Sequence, residues 1–107
     1  NIKGAQMHMQ GSKLRGTKLE GADLSGARLD NVNFEDAGLQ TANLSRANLK
    51  GANFNRADLR GANLRYVVGL TREQIENSLL DKTTLLPHYL KIKWATETSF
   101  KILDNKN

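Results

Sequence analysis

His8 and His88 are the only imidazoles in the chain, and there is no cysteine. A transition-metal site needs several nitrogen, thiolate or carboxylate ligands at short spacing. Neither histidine has a carboxylate or a second histidine so placed, so both read as surface or packing residues. No metal or cofactor is expected. Hydrolytic chemistry would need a nucleophile, a base and an orienting group converging in a pocket. The serines (Ser12, Ser25, Ser45, Ser78 and Ser99) are scattered. Asp23 and Asp58 could be imagined as an acid and base, but a carboxylate of this kind more often bonds nearby backbone at a turn. The glycines recur at a fixed interval and not as G-x-x-x-x-G-K-[ST], which excludes a phosphate loop of that type. The chain is therefore expected not to be an enzyme.

Charge offers a second kind of chemistry. Sixteen basic and eleven acidic residues give a formal charge of +5 over 107 residues. Arg46, Lys50, Arg56, Arg60 and Arg65 cluster against one acid, Asp58. In linear sequence this resembles a polyanion patch. Trp94, near Tyr89, Phe100 and several lysines, could anchor a partner or pack on its own chain. No apolar run of 18 or more residues is present, so no membrane span is expected, and no signal peptide is apparent. A soluble, cytoplasmic location is favoured.

The elements that would position these residues are set by a period of five. Residues 7–66 form twelve consecutive five-residue units without insertion. Their centres are Met9, Leu14, Leu19, Leu24, Leu29, Phe34, Leu39, Leu44, Leu49, Phe54, Leu59 and Leu64. Two residues before each centre is a smaller residue, most often alanine: Ala22, Ala27, Ala37, Ala42, Ala47, Ala52, Ala57 and Ala62. The other positions are mostly polar or glycine. The period is neither the 3.6 of a helix nor the 2 of a strand. Two inward positions in five, one residue apart, describe a short extended piece followed by a corner. A stack of such units buries each apolar pair against its neighbours. With 38% hydrophobic and 6% aromatic residues, a conventional core would be thin.

The units read A-[DN]-L-x-x, most clearly from Ala42-Asn43-Leu44 to Ala62-Asn63-Leu64. This resembles the pentapeptide repeat family. The resemblance implies an all-β solenoid, a right-handed quadrilateral β-helix with four units per coil. Three coils would make a rod roughly 15 Å long, at about 4.8 Å per coil. Residues twenty apart would then stack. One interior column is Leu14, Phe34 and Phe54, with the rings adjacent. The others are Leu24, Leu44 and Leu64; Leu19, Leu39 and Leu59; and Met9, Leu29 and Leu49. Outside, Asp30 would lie over Lys50, Arg15 over Glu35 and Asp36 over Arg56, with Glu20, Gln40 and Arg60 in a mixed column. An aspartate at Leu44 should unfold the stack, whereas one at Ser45, read as outward, should be tolerated.

The period stops after Tyr66, which divides residues 1–66 from a capping segment, 67–107. Residues 1–6 keep a weak echo of the repeat. Thr71 and Gln74 form a capping-box pattern, with Leu70 and Ile75 as a hydrophobic staple. This predicts a helix over about 72–80, burying Ile75 and Leu79. Leu80, Leu85, Leu86 and Pro87 would close the last coil. The stretches Gly69–Ile75 and Thr84–Pro87 are similar to segments that follow the repeats in many bacterial family members. Leu90, Ile92 and Trp94 alternate with lysines in strand fashion, and the end at 104–107 reads as frayed.

Function is expected to be that of a non-catalytic protein-interaction module. Some family members resemble duplex DNA in size and charge and bind type II topoisomerases. That role needs a long acidic rod, and here the repeat region carries nine basic and six acidic residues. A direct polyanion or membrane-surface binder is the further alternative. Register separates Lys50, Arg56 and Arg60 onto different faces, so direct nucleic-acid binding is disfavoured. Arg46, Arg65 and Tyr66 share a face and, with Trp94, form the candidate interaction surface. A protein partner is expected. The exposed first coil, with Met7, Met9, Leu14 and Leu19 at its end, could also support end-to-end self-association. Alternatively, the weak first turn and Asn1 suggest the capped terminal part of a longer repeat array.

Overall fold

The computed structural model describes residues 7–90 and the backbone of residues 92–94 and 100–102. From residue 7 the chain winds in coils of twenty residues. Parallel bridges join His8 to Arg28, Lys13 to Asn33, Lys18 to Gly38 and Asp23 to Asn43, and the same steps repeat one coil higher. Each coil thus has four faces. The bridging residue lies between the small inward residue and the large one, so its side chain points outward. On the first face Leu29 donates its N–H to Asn48 O at 2.9 Å, while Asn48 N–H donates to Ala27 O at 3.0 Å. Every face uses this two-bond exchange, so the inward flanks of each outward residue carry the ladder.

Corners follow one rule. At every corner but the last, at Tyr66, the amide after the corner donates back to the large inward residue, as Val32 does to Leu29 O at 3.2 Å. The third turn residue has positive φ and the second does not, the pattern of a type II turn. At the twelve corners φ lies between 59° and 73°. Six are glycine; the others are Asn31, Asp36, Thr41, Arg46, Arg56 and Tyr66. Left-handed backbone is therefore not by itself what selects glycine. At Gly51 a Cβ would meet Asn31 Oδ1 at 2.2 Å, so the Asn31 side chain would have to move. At Gly69, just above the last repeat coil, it would meet the Lys50 Cα at 2.8 Å.

The interior is built from the residues the repeat points inward. Leu29, Leu39, Leu44, Leu49, Leu59 and Leu64 are fully buried, as are the alanines between them. Phe34 and Phe54 stack with ring centroids 5.2 Å apart and planes 10° from parallel. Leu24 is buried, while Met7, Met9, Leu14, Leu19 and Ala22 in the first coil are only partly so. One expectation on the outside fails. Ser45 is 7% exposed, because its hydroxyl folds back to donate to Asn43 Oδ1 at 2.7 Å.

The closure differs from the expected helix over 72–80. Helix α1 spans only Arg72–Ile75. Its capping box is present: Thr71 accepts from the Gln74 amide, and Gln74 Oε1 accepts from Thr71 N–H at 2.7 Å. Ile75 is buried, but Leu79 is 53% exposed. The helix stops because the backbone after it is taken up by the coil ladder. Asn77 O accepts from Arg56 N–H, and Leu79 bridges to Asp58. Val68 bridges to Asn48 and Leu85 to Asn63. Three faces therefore continue into a fourth, irregular rung. On the remaining face α1 takes that place, and the Gln74 amide donates to Leu49 O at 2.8 Å and Ala52 O at 2.9 Å. Leu80 fills the interior beside Ile75, both buried. Strands β1 (Ile92–Trp94) and β2 (Phe100–Ile102) pair antiparallel, with Trp94 opposite Phe100. The first agrees with the alternation in sequence; the second was not foreseen. The expectations for residues 1–6 and 104–107 lie outside the described residues.

Two tests follow from this packing. Leu44→Ala should cost about 2–5 kcal/mol in urea melts, and Leu44→Asp should abolish the transition by burying an unpaired carboxylate. Lys50→Asp, at an exposed position, should leave the melt nearly intact; equal losses would mean the register is misassigned. Gly11 and Gly69 both have positive φ, but a Cβ on Gly11 meets nothing within 4 Å. Gly11→Ala should therefore cost about 1 kcal/mol and Gly69→Ala clearly more, with the difference reporting the clash against Lys50.

Candidate functional site

Among the described residues, the polar side chains of the repeat lie in the outward slots and at the corners. Where the slot is Asn or Asp, its Oδ1 accepts from the backbone N–H two residues on. Asn33, Asn43, Asn48, Asn53 and Asn63 do so at 3.0–3.1 Å or less. Asp23 and Asp58 do the same, at 3.1 and 3.2 Å. This explains the [DN] of the repeat: the side chain supplies the turn that starts each corner. It also answers the acid–base question. Asp23 bridges into the face of Asn43, and Asp58 into the face of Gly38, so the two carboxylates lie on different faces and each is engaged locally.

The ion pairs follow the twenty-residue register at one corner. Arg15 reaches Glu35 at 3.7 Å and Asp36 at 3.5 Å. From the coil above, Arg56 donates to Asp36 at 2.9 Å and to Glu35. Two acids of the middle coil are thus held between arginines of the coils on either side. The Arg56 guanidinium, and then Arg15, holds the Asp36 carboxyl below the usual aspartate range. Elsewhere the register was an incomplete guide. Arg60, in the mixed column above Gln40, pairs with Asp58, two residues away, through bonds of 2.8 and 2.5 Å. That pairing lowers Asp58. Asp30 makes no ion pair with Lys50 among the described residues; its Oδ1 is buried without a hydrogen-bond partner.

The candidate interaction surface is partly assembled. The Arg46 guanidinium carbon lies 5.3 Å from the Tyr66 ring centroid, a cation–π contact between corners of successive coils. Tyr66 is 61% exposed. Arg65 lies beside it, its Nε donating to Asn63 Oδ1 at 3.4 Å. Trp94 is on β1, and its side chain lies outside the described residues. Tyr89 is tied to the cap, its hydroxyl donating to Leu70 O at 2.9 Å, and burial raises its pKa.

One surface feature was missed. In the repeat coils no outward slot holds a large aliphatic residue. In the fourth rung these slots hold Val68, Leu79 and Leu85, exposed by 58%, 53% and 41%. Their chain separations, eleven and six residues, break the period, so sequence spacing gave no signal. Among the described residues, no His, Cys, Asp and Glu group could hold a metal ion, and no helix is long and apolar enough to cross a membrane.

A coil of twenty residues with four bridged faces and Ala/Leu columns defines a repeat solenoid of five-residue units. The chain belongs to the pentapeptide repeat family, whose model matches residues 8–46 and 42–68. Among solved structures it is similar to alr5209, a pentapeptide repeat protein from Nostoc PCC 7120. The identity is 26%, over 84% of this chain and 74% of that one, with a TM-score of 0.55. It is also similar to the pentapeptide repeat protein Rfr23 of the cyanobacterium Cyanothece 51142, at 31% identity over 74% of this chain and 60% of that one, TM-score 0.39. A third is a pentapeptide repeat protein of the Arabidopsis thaliana thylakoid lumen, at 23% identity over 62% and 56%, TM-score 0.32. No curated protein matches the sequence.

The acidic pairs make stability depend on pH in a defined direction. Asp36, Asp58 and Asp81 all have lowered pKa values in the fold. The unfolded chain then takes up protons first as pH falls. The stability they contribute is fully present above the ordinary aspartate value of about 3.9. It is lost as pH falls through the lowered values. Asp36→Asn, which keeps a residue suited to positive φ, should flatten that acid loss in melts between neutral and acid pH. An unchanged slope would remove Asp36 from the account.

Proposed function

We propose that this chain is a non-catalytic protein-interaction module, a right-handed quadrilateral β-helix of three repeat coils whose lateral faces are the docking surfaces. One observation carries the reading. Most of the carboxylates and amides, Asp30 and Gln40 apart, are engaged in turns and ion pairs, which leaves flat, regular surfaces rather than groups poised for reaction. Rigid surfaces lose little conformational entropy on binding. The face at the corner of Arg46, Arg65 and Tyr66 is the best candidate contact, because an exposed aromatic and arginine together suit a protein interface. Net positive charge speaks against mimicry of a polyanion.

The same corner supports the second reading, a polyanion binder, since Arg46 and Arg65 make no ion pair among the described residues. Salt separates the two. The immobilised chain should retain a protein from lysate at both low and high salt, and Arg46→Ala with Tyr66→Ala should release it. It should not inhibit gyrase supercoiling. Retention only of nucleic acid or anionic vesicles, lost steeply as salt rises, would instead establish the polyanion reading.

A further inference from the structure

The solenoid does not treat its basic residues alike on every face. Arg15 and Arg56 are held by Glu35 and Asp36, and Arg60 by Asp58. The face of Arg28, Asn48 and Val68, joined by parallel bridges, is the contrast. Arg46 stands at the corner before Asn48 and Lys50 at the corner after it. Arg28, Arg46 and Lys50 are exposed. None of them makes an ion pair among the described residues. On this stretch of surface, the face with its two corners, Asp30 is the only carboxylate among the described repeat residues. One of its oxygens is buried, and it takes no part in an ion pair there.

The same face ends in apolar surface. Val68, 58% exposed, lies one rung above Asn48, and Tyr66, 61% exposed, one rung above Arg46. The Tyr66 ring holds the Arg46 guanidinium at 5.3 Å. That contact uses the flat side of the guanidinium and leaves its edge, with the N–H donors, for a carboxylate.

We infer that this face binds an extended acidic segment of a partner protein, with carboxylates on Arg28, Arg46 and Lys50 and a bulky apolar residue on Val68 and Tyr66. The inference rests on the docking reading above and names the chemistry of the partner. Arg28 and Val68 are two rungs apart, roughly 10 Å at about 4.8 Å per rung. An extended chain covers that distance in about three residues. With the reach of an arginine side chain added, the acid and the apolar residue of the partner belong about two to four residues apart. A nucleic-acid backbone would engage the basic groups alone and make no use of Val68.

Random peptides displayed on phage and selected on the immobilised 107-residue chain at physiological salt test this. The selected sequences should carry Asp or Glu beside a bulky apolar residue at that spacing. A synthetic peptide of the selected sequence is then titrated by fluorescence anisotropy. Arg28→Glu should weaken its binding by roughly tenfold, and Val68→Ser by roughly tenfold as well. Lys18→Glu makes the same change of charge on the opposite face and should leave binding unaltered. All three positions are exposed, and circular dichroism checks that each variant folds. A selection without acidic preference would overturn the proposal. So would equal losses with Lys18→Glu, indifference to Val68→Ser, or duplex DNA or anionic vesicles binding more tightly than any selected peptide. A lysate protein released by Arg46→Ala with Tyr66→Ala, but still held by the Arg28→Glu and Val68→Ser variants, would overturn this assignment and leave the docking reading standing. Retention of no protein at all would remove both.

Discussion

Backbone hydrogen bonds between residues twenty apart can form on all four faces only if every corner turns by the same amount. That constraint fixes the rest. A corner one residue longer would rotate the following Ala and Leu out of the interior and put the next amide out of reach of its acceptor. The uniform positive φ at the corners is the local form of this requirement. It is met with glycine at six corners, crowded at Gly51 and open at Gly11 and Gly16, and with Asn, Asp, Thr, Arg or Tyr at the other six. Non-glycine residues in this region each cost of order 1 kcal/mol or more. Their persistence shows how strongly the ladder and the Leu columns over-determine the path.

The same constraint limits what the surface can do. An outward slot has a neighbour about 4.8 Å above and below it, so its side chain is drawn into column contacts before it can serve a ligand. Asn and Asp turn inward along the chain to the corner amide. Glu35 and Asp36 are claimed by Arg15 and Arg56 from adjacent coils. These pairs are exposed and weak individually, yet they bind one coil to the next at the corner, where the ladder bonds are fewest. A surface organised this way presents shape and charge pattern and does not assemble convergent reactive groups.

The coil was legible because its period is strict: Leu44 predicts Leu64, and Phe34 predicts that Phe54 will lie on its ring. The outer charges were legible only where no closer partner competed. Arg15 and Arg56 obey the twenty-residue step because their acids lie across coils. Arg60 has the neutral Gln40 twenty residues below it and pairs instead with Asp58 on the same turn. Ser45 misled for a similar reason: a small hydroxyl next to Asn43 is drawn under the turn. The cap was least legible. Thr71 and Gln74 announce a helix start correctly, but nothing local announces where it stops. The stop is imposed by Arg56, Leu59 and Leu64, whose unsatisfied amides capture Asn77, Leu79 and Leu85.

That capture explains why the cap is irregular in sequence and regular in bonding. The last repeat coil leaves a row of N–H and C=O groups, a hazard for uncontrolled pairing. Covering them requires acceptors and donors at three fixed places, and any chain path that delivers them will do. Segments of different length between Val68, Leu79 and Leu85 deliver them here, and α1 with Gln74 delivers the remainder. The cost is that the outward slots of this rung hold exposed aliphatic side chains, which end the polar columns of Asn48, Asp58 and Asn63. The first coil contrasts with this end: its four corners are all glycine and its apolar residues are only partly buried, so its path is shaped chiefly by the ladder bonds it makes to the coil above.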